Sequence, residues 1–161
     1  MKIDKIDLHI LRELQTNSKI TNIELSKTIG LSPAPTLGRV QKLERTGLIQ
    51  SYHAVVNNSV LGLGFTALIQ VSLTRQIDNA IDSFIAEIDK IDSIVECLQL
   101  TGNFDYQLKV IVQDIPAFDR LITEKLSKIE EIRQMQTLVV LSTVKNSRIA
   151  PIDYSTRLDV K

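Results

Sequence analysis

A chain of 161 residues with 43% hydrophobic and 24% charged side chains has the apolar mass for one or two ordinary domains. Its formal net charge of zero excludes a disordered polyelectrolyte, and no apolar run approaches the roughly 20 residues of a bilayer span. A single cysteine, Cys97, excludes a disulfide framework and fits a reducing cytoplasm.

The start, MKIDKIDLHILREL, carries acids through a helical period, which argues against a cleaved signal peptide. Ile6, Ile10, Leu11 and Leu14 fall on one stripe and predict a helix from about Lys5 to Gln15. Thr21 followed by Glu24 is a capping box, so a second helix starts at Asn22; it ends near Ile29, where Gly30 supplies the left-handed cap. Ser32 caps a third helix with Pro33 in the first position and Pro35 still in the first turn, and Gly47 stops it. Two capped helices across a tight turn read as a helix-turn-helix. The following LIQSYHAVV alternates and is rich in β formers, which predicts the strand or wing of a winged version. Asn57, Asn58 and Ser59 open a linker whose Gly62-Leu63-Gly64 is a joint.

From Phe65 the period changes. Phe65, Ala67, Ile69, Val71 and Leu73 alternate as a strand, and Ile77, Ile81, Phe84, Ile85 and Ile88 follow at helical spacing. Two strands, Ile94 to Leu100 and Tyr106 to Val112, flank Thr101-Gly102-Asn103-Phe104-Asp105. Ile115, Phe118, Ile122, Leu126 and Ile129 predict a further helix, and a last strand spans about Arg133 to Val144. The order βαββαβ is the ferredoxin-like unit, two helices covering one face of an antiparallel sheet. The expected organisation is therefore α+β: residues 1–56 a winged helix-turn-helix, 57–64 a linker, 65–144 a ferredoxin-like domain for ligand binding and oligomerisation, and 145–161 a tail with Pro151 and no periodicity. Leu68, Ile111, Leu138 and Val140 are apolar on the parity that should face solvent, so a second copy packing sheet to sheet is expected to cover them.

Charge divides unevenly. Residues 1–60 carry 8 Lys and Arg against 5 Asp and Glu, and residues 61–161 carry 11 against 14, so the N-terminal half suits a polyanion better. At 100° per residue, Leu37, Val40 and Leu43 form the expected buried side of the third helix, leaving Ala34, Gly38, Gln41, Lys42 and Arg45 outward as a recognition face for the major groove. Ser32, Thr36 and the N–H groups at the helix start suit phosphate oxygens. Arg39, Gln41 and Lys42 are long donors that could reach base edges or phosphates.

A helix-turn-helix with GLSPAPTLGRVQKLERTGLI, a short linker, and a second domain bearing TGNFDYQLKV resembles the Lrp/AsnC, or feast/famine, transcriptional regulators over residues 1 to about 144. The resemblance implies operator DNA bound by homodimers or octamers, and a free amino acid sensed between regulatory domains. In the second motif Gly102 would let the N–H groups of residues 101–104 turn outward to a carboxylate, and Asp105 could accept from an α-ammonium group. The effector set is thus Thr101, Gly102, Asn103, Phe104 and Asp105; Thr137, by resemblance, comes from a neighbouring subunit. The competing reading of the same stretch is an ordinary Gly-Asn turn with Asp capping backbone.

Two other function classes compete with a regulator. Siroheme decarboxylases share this two-domain plan, but only His9 and His53 are present, both in the N-terminal half, and Cys97 has no Cys or His at ligand spacing. No catalytic residue, metal site or cofactor is expected beyond the amino acid. An assembly module that does not bind DNA is the remaining alternative.

Overall fold

A computed structural model of the chain describes residues 2–74, 79–153 and 158–159. It divides into two compact units, Met1–Val55 with Lys145–Lys161, and Val56–Val144.

The first unit is helical. α1 (Lys5–Thr16), α2 (Asn22–Ile29) and α3 (Pro33–Arg45) match the predicted spans closely. Local chemistry explains why. The Glu24 N–H donates to Thr21 Oγ1 at 3.2 Å and the Thr21 N–H to Glu24 Oε2 at 3.0 Å, closing the capping box, and Gly30 takes φ 73°. A second capping box starts α1: the Asp7 N–H donates to Asp4 Oδ1 at 2.8 Å and the Asp4 N–H to Asp7 Oδ2 at 3.3 Å. The core gathers Ile3, Leu8, Ile10, Leu11, Leu25 and Leu43.

Two features of this unit differ from expectation. Residues 48–56 form no strand; an alternating pattern needs a partner edge, and none of the described strands pairs with it. Instead Leu48 and Ile49 pack on the helical core, and the Tyr52 hydroxyl donates to Glu44 Oε1 at 3.0 Å. The small sheet of this unit comes from the chain ends: β1 (Lys2–Ile3) pairs antiparallel with β6 (Leu158–Asp159). The tail returns to the helices, with the Ala150 N–H donating to Gln15 Oε1 at 2.6 Å and Ile152 against the core.

The second unit is the βαββαβ fold: β2 (Phe65–Leu73), α4 (Ala80–Ile88), β3 (Ile94–Gln99), β4 (Tyr106–Val112), α5 (Ile115–Glu124) with a 3-10 turn at Leu126–Lys128, and β5 (Ile132–Val139). The sheet order is β3-β4-β2-β5, antiparallel throughout. Ala67, Ile69 and Val71 of β2 are fully buried with Phe84 of α4, Leu108 and Val110 of β4 and Leu126. Phe84 and Tyr106 meet at 5.1 Å between ring centres. Ile77 of the predicted helix lies outside the described residues. The helices bury a narrower stripe than their apolar spacing implies, leaving Ile81, Ile85 and Ile115 exposed. β5 stops five residues before the predicted Val144: Val139 pairs with Ala67, two residues short of the start of β2, and beyond it the Val140 N–H donates to Thr66 O at 3.0 Å. Leu68 stands opposite Leu138, and Thr66 opposite Ile111, on the sheet face away from the helices. Among the described residues no helix is long and apolar enough to cross a membrane.

Candidate functional site

α3 carries the first candidate site, and its start explains its surface. Ser32 holds the N-cap position with extended backbone, yet its side chain makes no capping bond. Of the two N–H groups such a side chain normally accepts from, the third helical position is Pro35 and has none, and that of Ala34 is not engaged. The Ser32 hydroxyl therefore stays available at the positive end of the helix dipole.

The buried side of α3 is shifted from the expected one. Thr36 and Leu43 are fully buried and Val40 half-buried, whereas Leu37 is 47% exposed. Thr36, expected to reach a phosphate, is a core residue whose hydroxyl donates to Ser32 O at 2.9 Å. That back-bond satisfies the one polar atom burial would strand. Arg39 is also withdrawn from its expected role: Nη1 donates to Asp7 Oδ1 at 2.6 Å and to Asp4 Oδ2 at 2.8 Å. The hydrogen bond that Arg39 donates to Asp7 outweighs burial and raises the Arg39 pKa, fixing the guanidinium in its charged form. Lys42 Nζ stands 4.0 Å from Asp7 Oδ2. Ser32, Ala34, Gly38, Gln41 and Arg45 are exposed and Lys42 half-exposed, so most of the expected outer face is presented to solvent. The clamp from Asp4 and Asp7 went unseen in the sequence; its signal was the Asp-x-x-Asp spacing that opens α1.

The second candidate site surrounds the β3–β4 connection. Gly102 takes φ 131°, a conformation that L side chains rarely adopt. The Asp105 N–H donates to Val71 O at 2.9 Å, its carboxylate Oδ2 accepts the Leu73 N–H at 2.8 Å, and its carbonyl accepts the Leu100 N–H at 2.8 Å. Asp105 thus ties the connection to the end of β2, as the turn reading required, while keeping capacity for further hydrogen bonds. A cavity of about 460 Å³ is lined by Ser72, Leu73, Thr74, Gly102, Asn103, Asp105 and Arg133. Another of about 370 Å³ is lined by Gln70, Leu100, Thr101, Asn103, Phe104 and Gln136. Residues 101–105 are brought together, but Thr137 is not: it pairs opposite Ile69, on the parity of the helix-covered core. Its neighbour Gln136 and the cation Arg133 line the cavities instead, two residues the sequence reading did not single out.

Comparison with known proteins covers both units. Residues 66–150 match the family model of the Lrp/AsnC ligand binding domain, and residues 3–50 match that of a winged helix-turn-helix DNA-binding domain. The leucine-responsive regulatory protein of Salmonella typhimurium is 40% identical over 145 residues, covering 90% of this chain and 88% of that one. Among solved structures, a transcriptional regulator from Neisseria meningitidis in complex with L-Met aligns with TM-score 0.91 at 33% identity, over 96% of this chain and 99% of that one. AsnC of Escherichia coli aligns with TM-score 0.81 at 28% identity, over 89% and 95%.

Proposed function

This chain belongs to the Lrp/AsnC family of transcription regulators, and on that premise we propose that it grips operator DNA with the outer face of α3, as a homodimer whose affinity a free amino acid adjusts. The observation that carries the reading is that arc: Ala34, Gly38, Gln41, Lys42 and Arg45 share one side of a helix whose opposite side is buried, with Ser32 exposed at its N-cap. An exposed helix start with the open Ser32 hydroxyl and the Ala34 N–H, followed by cations in the last turn, is suited to phosphates on either side of a groove.

The effector role of Thr101, Gly102, Asn103, Phe104 and Asp105 is supported by the two cavities that the connection lines. Asp105 and Arg133 offer opposite charges on one of them, which matches the two charged groups of an amino acid. The Neisseria meningitidis relative is an L-Met complex. Thr137 joins such a site only from a neighbouring chain, which links ligand binding to assembly. The apolar residues Leu68, Ile111, Leu138 and Val140 support a sheet-to-sheet dimer, with octamers as a further step. A regulator of this kind works in the cytoplasm, where its DNA is.

The test is fluorescence anisotropy of the full chain on duplex from the DNA upstream of its own gene, at rising salt, with and without a pool of the common amino acids. Binding that weakens steeply with salt and shifts with the pool is expected. Failure to bind duplex of any origin at low ionic strength overturns the DNA reading; calorimetry without heat for any common amino acid overturns the effector reading. Sedimentation as a stable monomer at micromolar concentration removes the dimer.

A further inference from the structure

Leu37, expected on the buried side of α3, is an aliphatic side chain 47% exposed at the edge of the helix face assigned to DNA. Its neighbours there decide what it is for. At 100° per residue the outer arc of α3 runs Leu37, Gln41, Ala34, Arg45, Gly38, Lys42. The first two turns therefore offer a branched aliphatic group, a methyl group and bare backbone, since nothing lies within 4 Å of where a Gly38 Cβ would stand. One turn later comes the amide of Gln41. The guanidinium in this stretch, Arg39, is turned inward to Asp7 and Asp4 at 2.6 and 2.8 Å. The cations left on the arc, Lys42 and Arg45, sit in the last turn.

A recognition helix contacts base edges mainly with its N-terminal residues. In the major groove guanine is read by Arg or Lys, adenine by the amide of Gln or Asn, and thymine by apolar contact with its 5-methyl group. The N-terminal part of this arc has no cation for guanine. It has an aliphatic group for thymine in Leu37, while the amide of Gln41, suited to adenine, follows one turn later beside Lys42.

We infer that Leu37 is a specificity-determining residue that packs on the 5-methyl group of a thymine in each operator half-site. The inference rests on the DNA-binding reading of α3 and goes beyond it by naming the base chemistry recognised.

The full chain is used to select binding duplexes from a random-sequence pool, and each thymine of the recovered site is then replaced singly by uracil. Uracil keeps every hydrogen-bonding group and lacks only the methyl. At one thymine per half-site the replacement is expected to weaken binding about four-fold, the worth of one buried methyl, with the salt slope unchanged. In Leu37→Ala that position is expected to become indifferent to uracil while the salt slope persists. Leu37 is about half exposed and Ala is the better helix former, so the variant should fold, which its thermal melt verifies. Salt-dependent binding with no thymine sensitive to uracil overturns the inference alone, as does sensitivity that survives undiminished in Leu37→Ala. If no duplex is selected at all, the DNA-binding reading itself falls and takes the inference with it.

Discussion

Arg39 Nη1 on α3 lies 2.6 Å from Asp7 Oδ1 on α1, and the Asp7 side chain is only 2% exposed. The reading helix is thereby fastened to the first helix by charge as well as by the apolar packing of Leu43. A carboxylate so buried depends on its partner. Arg39→Ala leaves Asp7 with Lys42 Nζ at 4.0 Å as its nearest cation. Urea denaturation is expected to show a loss of roughly 2–4 kcal/mol in the DNA-binding unit. The salt slope of DNA binding by the folded protein should not change. Arg45→Ala should do the reverse, with stability within about 0.5 kcal/mol and a slope shallower by about 0.9 for each phosphate that is no longer neutralised. An Arg39→Ala slope reduced like that of Arg45→Ala would return Arg39 to the interface.

Gly38 sits mid-helix, where glycine destabilises by roughly 0.5–1 kcal/mol relative to alanine. No packing constraint requires it, since an added Cβ meets no heavy atom within 4 Å. Gly38→Ala is accordingly expected to raise the thermal midpoint while weakening DNA binding, because the outer backbone would stand off the groove by a methyl. A variant that is both more stable and as tight a binder would show that the glycine is not there for close approach.

The two capping boxes set an acid limit. Burial of Asp4 raises its pKa, but the Asp7 N–H and the Arg39 guanidinium outweigh it and the net direction is down from 3.8. Hydrogen bonds from the Thr21 backbone and hydroxyl hold Glu24 below 4.5. For a carboxylate depressed in the folded state, the stabilisation is complete above its unfolded pKa and is lost as pH falls through the folded one. Circular dichroism melts should therefore be flat from pH 7 to about 5 and fall below about 4. Asp4→Asn should remove part of that dependence; an acid transition unchanged in Asp4→Asn combined with Glu24→Gln would assign it to other groups.

These residues also show which features a sequence discloses. Thr21, Glu24 and Gly30 act within the span of one short helix and its caps, so the bounds of α2 could be read directly. The alternation of β2 was legible for the same reason, since each residue reports its own face. The buried side of α3 was not. Its stripe begins with Thr36, a polar residue that conceals its burial by bonding Ser32 O, while the aliphatic Leu37 faces outward. Residues 48–56 alternate like a strand, but pairing is a property of the partner edge, which no local pattern contains. The two-residue β6 left no periodic trace at all. In the second site the turn itself was visible, whereas Arg133 and Gln136 come to it from β5 through strand register.

Asp105 has two tasks that one substitution can separate. Its Oδ2 accepts the Leu73 N–H at 2.8 Å, a structural bond, and its negative charge borders the cavity shared with Arg133 and Gly102. Asparagine keeps an oxygen for the Leu73 N–H and discards the charge. Asp105→Asn is therefore expected to melt within a few degrees of the parent while losing amino-acid binding in calorimetry by ten-fold or more, since a charge-assisted bond to an ammonium group is worth about 1.5–3 kcal/mol. Asp105→Ala removes both functions and should also lose about 1 kcal/mol of stability in the regulatory unit. Arg133→Gln tests the opposite end of the ligand, where weaker binding with an unchanged melt is expected because Arg133 is exposed. If Asp105→Asn binds amino acids as the parent does, the residue serves only the turn, and the ammonium group must be held elsewhere.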